Sequence, residues 1–172
     1  MPDYRVRRVI DDAEAESISR LGAQTFTETF SHLYPSEDLD AFLQASHRVA
    51  HYRDLINDTR FGVWVGEIPG ADVIAYGVAG PCALPIDPAL LSAGELVRLY
   101  VLAGNRDSGL GAALMDEILP WLENRYTEIF LGVWSENTGA QRFYARYGFE
   151  KVGEYLFKVG ASRDLEYIFR RG

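Results

Sequence analysis

Asn105-Arg106-Asp107-Ser108-Gly109-Leu110-Gly111-Ala112 is the stretch on which the fold turns. It comes after Glu95-Leu96-Val97-Arg98-Leu99-Tyr100-Val101-Leu102, whose apolar, partly alternating pattern predicts a strand. It opens a segment, Gly109 to about Asn124, in which Leu110, Leu114, Ile118 and Trp121 recur on one helical stripe. Pro120 sits late in that helix, where it kinks or shortens it. The apolar run Ile129 to Trp134 then reads as a strand buried on both faces. Strand, helix and strand make a right-handed βαβ unit, so strands 95–102 and 129–134 should lie parallel.

The eight-residue linker has the chemistry of an anion cradle. The first N–H groups of a helix have no partner within it, and the helix dipole adds partial positive charge. Gly109 and Gly111 lack a Cβ, so a phosphate can approach the backbone, and Arg106 adds a full charge. A tight turn whose glycines serve packing alone has the same spelling. There is no third glycine and no acidic residue ending a second strand, which excludes a dinucleotide-binding fingerprint. There is no Gly-Lys-Ser/Thr either, which excludes a P-loop.

Working outward, Tyr4 to Ile10 predicts a strand, and Asp11 and Asp12 can cap the next helix. Ile18, Leu21, Phe26, Phe30 and Leu33 predict that helix to be amphipathic. Pro35 ends it, and a second helical region runs from Ser36 to about Leu55 with room for a break. Phe61–Ile68 and Val73–Ala79 predict a hairpin about Pro69-Gly70. The three prolines between Pro81 and Gly94 predict a loop. Asn137 to Tyr147 predicts a short helix stopped by Gly148, and two final strands, about Glu150–Phe157 and Leu165–Arg170, meet across Gly160. The predicted order is β-α-α-β-β-β-α-β-α-β-β, an α/β chain.

Its 172 residues fit one domain, 1–172, able to bury a core without staples. A hydrophobic share of 48% and a charged share of 24% are those of a globular protein, and no apolar run is long enough for a bilayer. Asp3, Arg5, Arg7 and Arg8 near the start do not read as a secretory signal. One cysteine, Cys82, cannot form an internal disulfide. These features predict a cytoplasmic protein. A formal net charge of −8 disfavours nucleic acid and would attract a cationic substrate, or it serves solubility alone. His32, His47 and His51 are scattered without metal-site spacing and are expected at the surface; no metal is expected.

Arg106-x-x-Gly109-x-Gly111 resembles the pyrophosphate signature of the GNAT superfamily of N-acetyltransferases. Residues 95–101 resemble that family's fourth strand, and Asn137-x-x-Ala140-x-x-Phe143-Tyr144-x-x-x-Gly148-Phe149 resembles its next conserved block. Ala103 departs from the proline common there. The resemblance implies the GNAT fold: a mixed, mostly antiparallel sheet flanked by helices, with the parallel pair 95–102 and 129–134 splayed apart. It implies acetyl-CoA as co-substrate, with pantetheine between those strands near Leu99, Tyr100 and Val101. The Val101 amide would polarise the acetyl carbonyl. The amides of Asp107, Ser108, Gly109, Leu110, Gly111 and Ala112, beside Arg106, would hold the pyrophosphate. Asn137 would bond the pantetheine arm.

The implied reaction is attack of a neutral amine on a thioester through a tetrahedral intermediate. Tyr144, placed as the family block implies, is the candidate general acid; without that block it reads as a core aromatic beside Phe143 and Tyr147. Glu95 is the candidate base, or a solvated carboxylate at a strand start. Period-two alternation puts it on one face with Val97, Leu99 and Val101. Some relatives carry a glutamate on the fifth strand, where this chain has Gly132 and Trp134. Phe30, Tyr34 and Trp134 could line an acceptor pocket, although aromatics at helical spacing are also core residues.

Thr27-Glu28-Thr29-Phe30 with Leu33-Tyr34-Pro35, Leu131-Gly132-Val133-Trp134, and Phe157-x-x-Gly160 with Asp164-Leu165 resemble the PaiA-like branch. That likeness favours a small polyamine-like primary amine as acceptor. Amino termini or lysines of peptides and proteins are the alternative. An acetyl-CoA-binding sensor without turnover is a reading of another class. A homodimer remains open, and no membrane partner is expected.

Overall fold

The computed structural model describes residues 3–172. Seven strands form one sheet in the order β1-β2-β3-β4-β5-β7-β6. They are β1 (Arg5–Arg8), β2 (Gly62–Glu67), β3 (Val73–Pro81), β4 (Ala93–Val101), β5 (Glu128–Trp134), β6 (Glu150–Val159) and β7 (Ser162–Arg171). Every neighbouring pair is antiparallel except β4 and β5, which are parallel as the βαβ pattern predicts. The helices are α1 (Ala15–Phe30), α2 (Ser36–Ser46), α3 (Val49–Asn57), α4 (Leu110–Glu123) and α5 (Thr138–Ala145). Among the described residues, no helix is long and apolar enough to cross a membrane.

The two faces of the sheet carry different cores. On one, α4 lays Leu110, Leu114, Ile118 and Leu122 against Ala75, Ala79 and Leu96, and all of these are buried. Burying such a side chain contributes roughly 1.5–3 kcal/mol, so this stripe anchors the helix whose first turn faces the linker. α4 runs on past Pro120 to Glu123, because the proline falls on its exposed side near the end. On the other face α1 and α3 bury Ile18, Leu21 and Tyr52 against Val63, Val65, Tyr76 and Val78. A third, aromatic cluster joins α1 and α2 to the last strands through Phe26, Phe30, Tyr34 and Val159.

Two expectations need correction. His47 is not a surface residue: it is 3% exposed at the end of α2, its Nδ1 2.8 Å from the Tyr52 hydroxyl. The α2–α3 junction turns there, and the ring fills the corner between Phe26, Phe42 and Tyr52. Glu95 does not share a face with Leu99 and Val101. The β3–β4 register steps from Val78 opposite Arg98 to Ala79 opposite Leu96, so Val97 is an extra residue, a β-bulge. Beyond it the alternation inverts. Leu96, Leu99 and Val101 face α4, whereas Glu95, Arg98 and Tyr100 face α1.

Candidate active site

β4 and β5 hydrogen-bond over only three pairs, Ala93–Glu128, Gly94–Ile129 and Glu95–Phe130. After Glu95 the bulge redirects β4, while β5 stays paired with β7 up to Trp134. The strands part, and a cleft of about 670 Å³ occupies the gap. The Leu102 N–H bonds Ile74 of β3 at 2.9 Å, so by strand alternation the Val101 N–H points the other way, into the cleft. The Val101 carbonyl accepts from Arg106 Nε at 3.3 Å.

The linker forms one end of this cleft. Asp107 has φ 64° and Gly109 φ 86°, both left-handed, which coils the loop before the first turn of α4. The first helical bond there runs from the Ala113 N–H to the Gly109 carbonyl, leaving the N–H groups of Gly111 and Ala112 free of the helix. A Cβ on Gly109 would meet nothing within 4 Å, so its missing side chain opens space to the cleft. Arg106 is exposed at this end, steered by the Thr29 hydroxyl at 3.2 Å. The linker is thus an open cradle of amides beside a guanidinium, which fits a diphosphate.

Leu99, Tyr100, Val101, Arg106, Asp107, Gly109, Gly111, Ala112 and Asn137 all line the cleft. Ser108 and Leu110 do not. The Ser108 hydroxyl accepts from the Leu110 N–H at 3.3 Å, and the Leu110 side chain is core. Asn137 caps α5, its Oδ1 accepting from the Ala140 N–H at 3.1 Å. Tyr144 sits half-buried on α5 between Phe143 and Phe149, with its pKa raised far above that of free tyrosine by burial. Phe30 and Trp134 both line the cleft, their rings in a T-shaped contact with centres 5.9 Å apart. Tyr34 lines neither this cleft nor the pocket beside it. It lies in the aromatic cluster, its hydroxyl donating to Asp164.

A second pocket of about 210 Å³ adjoins the cleft on the α1 face. Glu95 lines it, 7% exposed, held by the Ala83 N–H at 2.8 Å; burial raises its pKa. Facing the same space is Glu166 of β7, which sequence reasoning missed. Gly132 makes this possible, since a Cβ there would stand 3.1 Å from Glu166 Oε2 and 2.8 Å from the Tyr155 hydroxyl. Glu166 accepts from that hydroxyl at 2.9 Å, and desolvation, with Asp164 and Glu95 nearby, pushes its pKa up to about 7. Glu166 stands opposite Trp134 in the β5–β7 register. The only signal for it was the alternation Asp164-x-Glu166-x-Ile168, which does not say which strand lies beside it. Arg98 of β4 is a second wall residue that the sequence reading passed over. Among the described residues no cluster of His, Cys, Asp and Glu could hold a metal ion.

Known proteins match this architecture. An uncharacterized N-acetyltransferase of Mycobacterium tuberculosis is 27% identical over 164 residues, covering 92% of this chain and 97% of the relative. An uncharacterized N-acetyltransferase of Lactobacillus delbrueckii subsp. lactis is 25% identical over 178 residues, with 94% of each chain covered. The PaiA N-acetyltransferase of Thermoplasma acidophilum, solved with coenzyme A, superposes with a TM-score of 0.77 at 14% identity over 98% of both chains. The ribosomal-protein-alanine N-acetyltransferase of Brucella melitensis gives 0.66 at 21% identity over 97% of this chain and 98% of its own. These two structures share the fold under different names, so the fold alone does not choose the acceptor. The profile of the Acetyltransferase (GNAT) family spans residues 16–149, the bulged strand, the cradle and α5 among them, and the chain therefore belongs to that family of acetyl-transferring enzymes.

Proposed function

We propose that this enzyme transfers the acetyl group of acetyl-CoA to a small primary amine that enters from the 210 Å³ pocket. The observation that carries this reading is the convergence of Glu95 and Glu166, from strands on either side of β5, on an aromatic pocket that opens beside the strand gap. Two carboxylates among Phe26, Phe30, Tyr155 and Phe157 suit an ammonium group with an alkyl stem.

The residues then divide the work. The amides of Gly111 and Ala112, with Arg106, hold the diphosphate, and Asn137 steadies the pantetheine arm. The Val101 N–H polarises the thioester carbonyl and receives the oxyanion as charge develops. An alkylammonium of pKa about 10.4 must lose a proton before attack. Glu166, poised near neutrality, takes it, and Glu95 helps to seat the cation. Tyr144, kept protonated by burial, gives its proton to the departing thiolate.

The test is thiol release from acetyl-CoA over a panel of monoamines, diamines, polyamines, amino acids and peptides. Turnover of small amines above peptides is the expected result. Turnover of peptides alone, or tight acetyl-CoA binding without release for any amine, would overturn it.

A further inference from the structure

Arg98 projects from β4 just beyond the bulge, on the face that carries Glu95. Its guanidinium has five N–H donors, of which one reaches an acceptor among the described residues: Nη1 donates to the Tyr52 hydroxyl at 2.7 Å. The same group lies 5.4 Å from the centre of the Tyr52 ring. Among the described residues no carboxylate forms an ion pair with it. What surrounds it is neutral: Tyr52, which bonds Tyr76 in turn, Tyr100, and the buried, uncharged imidazole of His47.

A largely desolvated cation without a counter-ion is costly, and a guanidinium fork with spare donors matches a planar carboxylate. The pocket therefore has two electrostatic ends. Glu95 and Glu166 stand at the gap between β4 and β5, and Arg98 and His47 stand towards the α2–α3 corner. A ligand with a cation at both ends would set one of them against Arg98. A ligand with an ammonium at one end and a carboxylate at the other would satisfy both.

Resting on the amine-acetyltransferase reading, we infer that the acceptor is zwitterionic, a small amine that also carries a carboxylate, with Arg98 as the residue that binds the carboxylate and disfavours a second ammonium. This places amino acids and their ω-amino analogues ahead of polyamines. The amino group still meets Glu166, so the chemistry of transfer is unchanged.

Acetyl transfer should be compared along a series of straight-chain ω-amino acids of increasing length, each beside its own carboxamide and its diamine. The carboxamide keeps the shape and removes the charge. At the best-fitting length the amino acid is expected to exceed its carboxamide in kcat/KM by roughly ten- to a hundredfold, as a charged hydrogen-bonded pair should. Arg98→Gln is expected to bring that ratio close to unity, whereas Tyr52→Phe, which removes only the structural partner, should leave the ratio intact. A wild-type preference for the diamine or the carboxamide at every length overturns the inference, and so does a ratio that survives in Arg98→Gln. If no amine is turned over, the amine-acetyltransferase reading fails, and calorimetric titration of the amino acids into the coenzyme A complex decides the matter. Binding that weakens in Arg98→Gln upholds the Arg98 assignment, and no binding sinks it.

Discussion

Tyr155 donates its phenolic hydrogen to Glu166 at 2.9 Å, directly over the missing side chain of Gly132. The bond stabilises the carboxylate, yet desolvation outweighs it and leaves the group titrating near 7. On the function proposed above, the acceptor's proton passes at neutral pH to a group that is neither a strong acid nor permanently protonated.

A pH profile tests this. Glu166 is raised from its ordinary value of 4.5, so the deprotonated, competent form accumulates as pH rises through about 7. kcat/KM should climb over that range. Glu166→Gln should lower it by about a hundred- to ten-thousandfold and abolish the limb. A limb that persists in the variant belongs to another group.

Tyr144 should behave differently. Its phenol holds its proton across the working range, so its ionisation should produce no limb near neutrality. Tyr144→Phe keeps the ring between Phe143 and Phe149 and removes only the hydroxyl. We expect kcat to fall by about a hundredfold or more while the Kd for acetyl-CoA, measured by calorimetry, is unchanged. Unaltered turnover would take Tyr144 out of the acid role.

The cradle makes a binding prediction. Gly109 has φ 86°, where valine is strained by about 1–3 kcal/mol, so Gly109→Val should lower the Tm as well as weaken coenzyme A binding. Gly111 has ordinary room, with Phe143 3.7 Å from an added Cβ, so Gly111→Val tests crowding with less effect on the fold. Its coenzyme A Kd should rise about tenfold or more at little change in Tm. Normal binding in Gly111→Val would put the diphosphate elsewhere.

His47 predicts an acid sensitivity of the fold. Desolvation, then Arg98 and His51, lower its pKa to about 3, against about 6.5 in the unfolded chain. Between those values the unfolded state binds the extra proton. Stability is therefore full above about pH 6.5 and falls with acidification, by up to about 1.4 kcal/mol per pH unit for one proton. Glu166, with a raised pKa, works in the opposite sense between about pH 4.5 and 7, so the His47 contribution is read as wild type minus His47→Asn. Denaturant titrations on either side of pH 6.5 should show a steeper acid loss in the wild type; equal slopes would refute it.

Local chemistry was what the sequence made legible. Gly109, Gly111 and Arg106 lie within six residues of chain, and read with the family resemblance their spacing points to the cradle, although a packing turn is spelled the same way. The stripe Leu110, Leu114, Ile118 marks α4 for the same reason. The acceptor side depends on long-range pairing. Glu166 joins Glu95 only because β7 inserts between β5 and β6. The face of Glu95 is set by one extra residue at Val97, which period-two counting cannot see. Tyr34 and His47 each lie just past the end of a helical segment, where the sequence pattern suits core and surface alike, and tertiary packing sent both inward.

Because β4 and β5 share only three rungs, the sheet has two unprotected edges that confront each other in its interior. An outer edge invites any passing strand. These inner ones, flanked by α4 on one face and by α1 on the other, admit only something slender and rich in amides. A pantetheine chain has that profile. Coenzyme loading should thus brace the two half-sheets against each other, and the amides beyond Leu96 and Leu131 should exchange with solvent more slowly once it is in place.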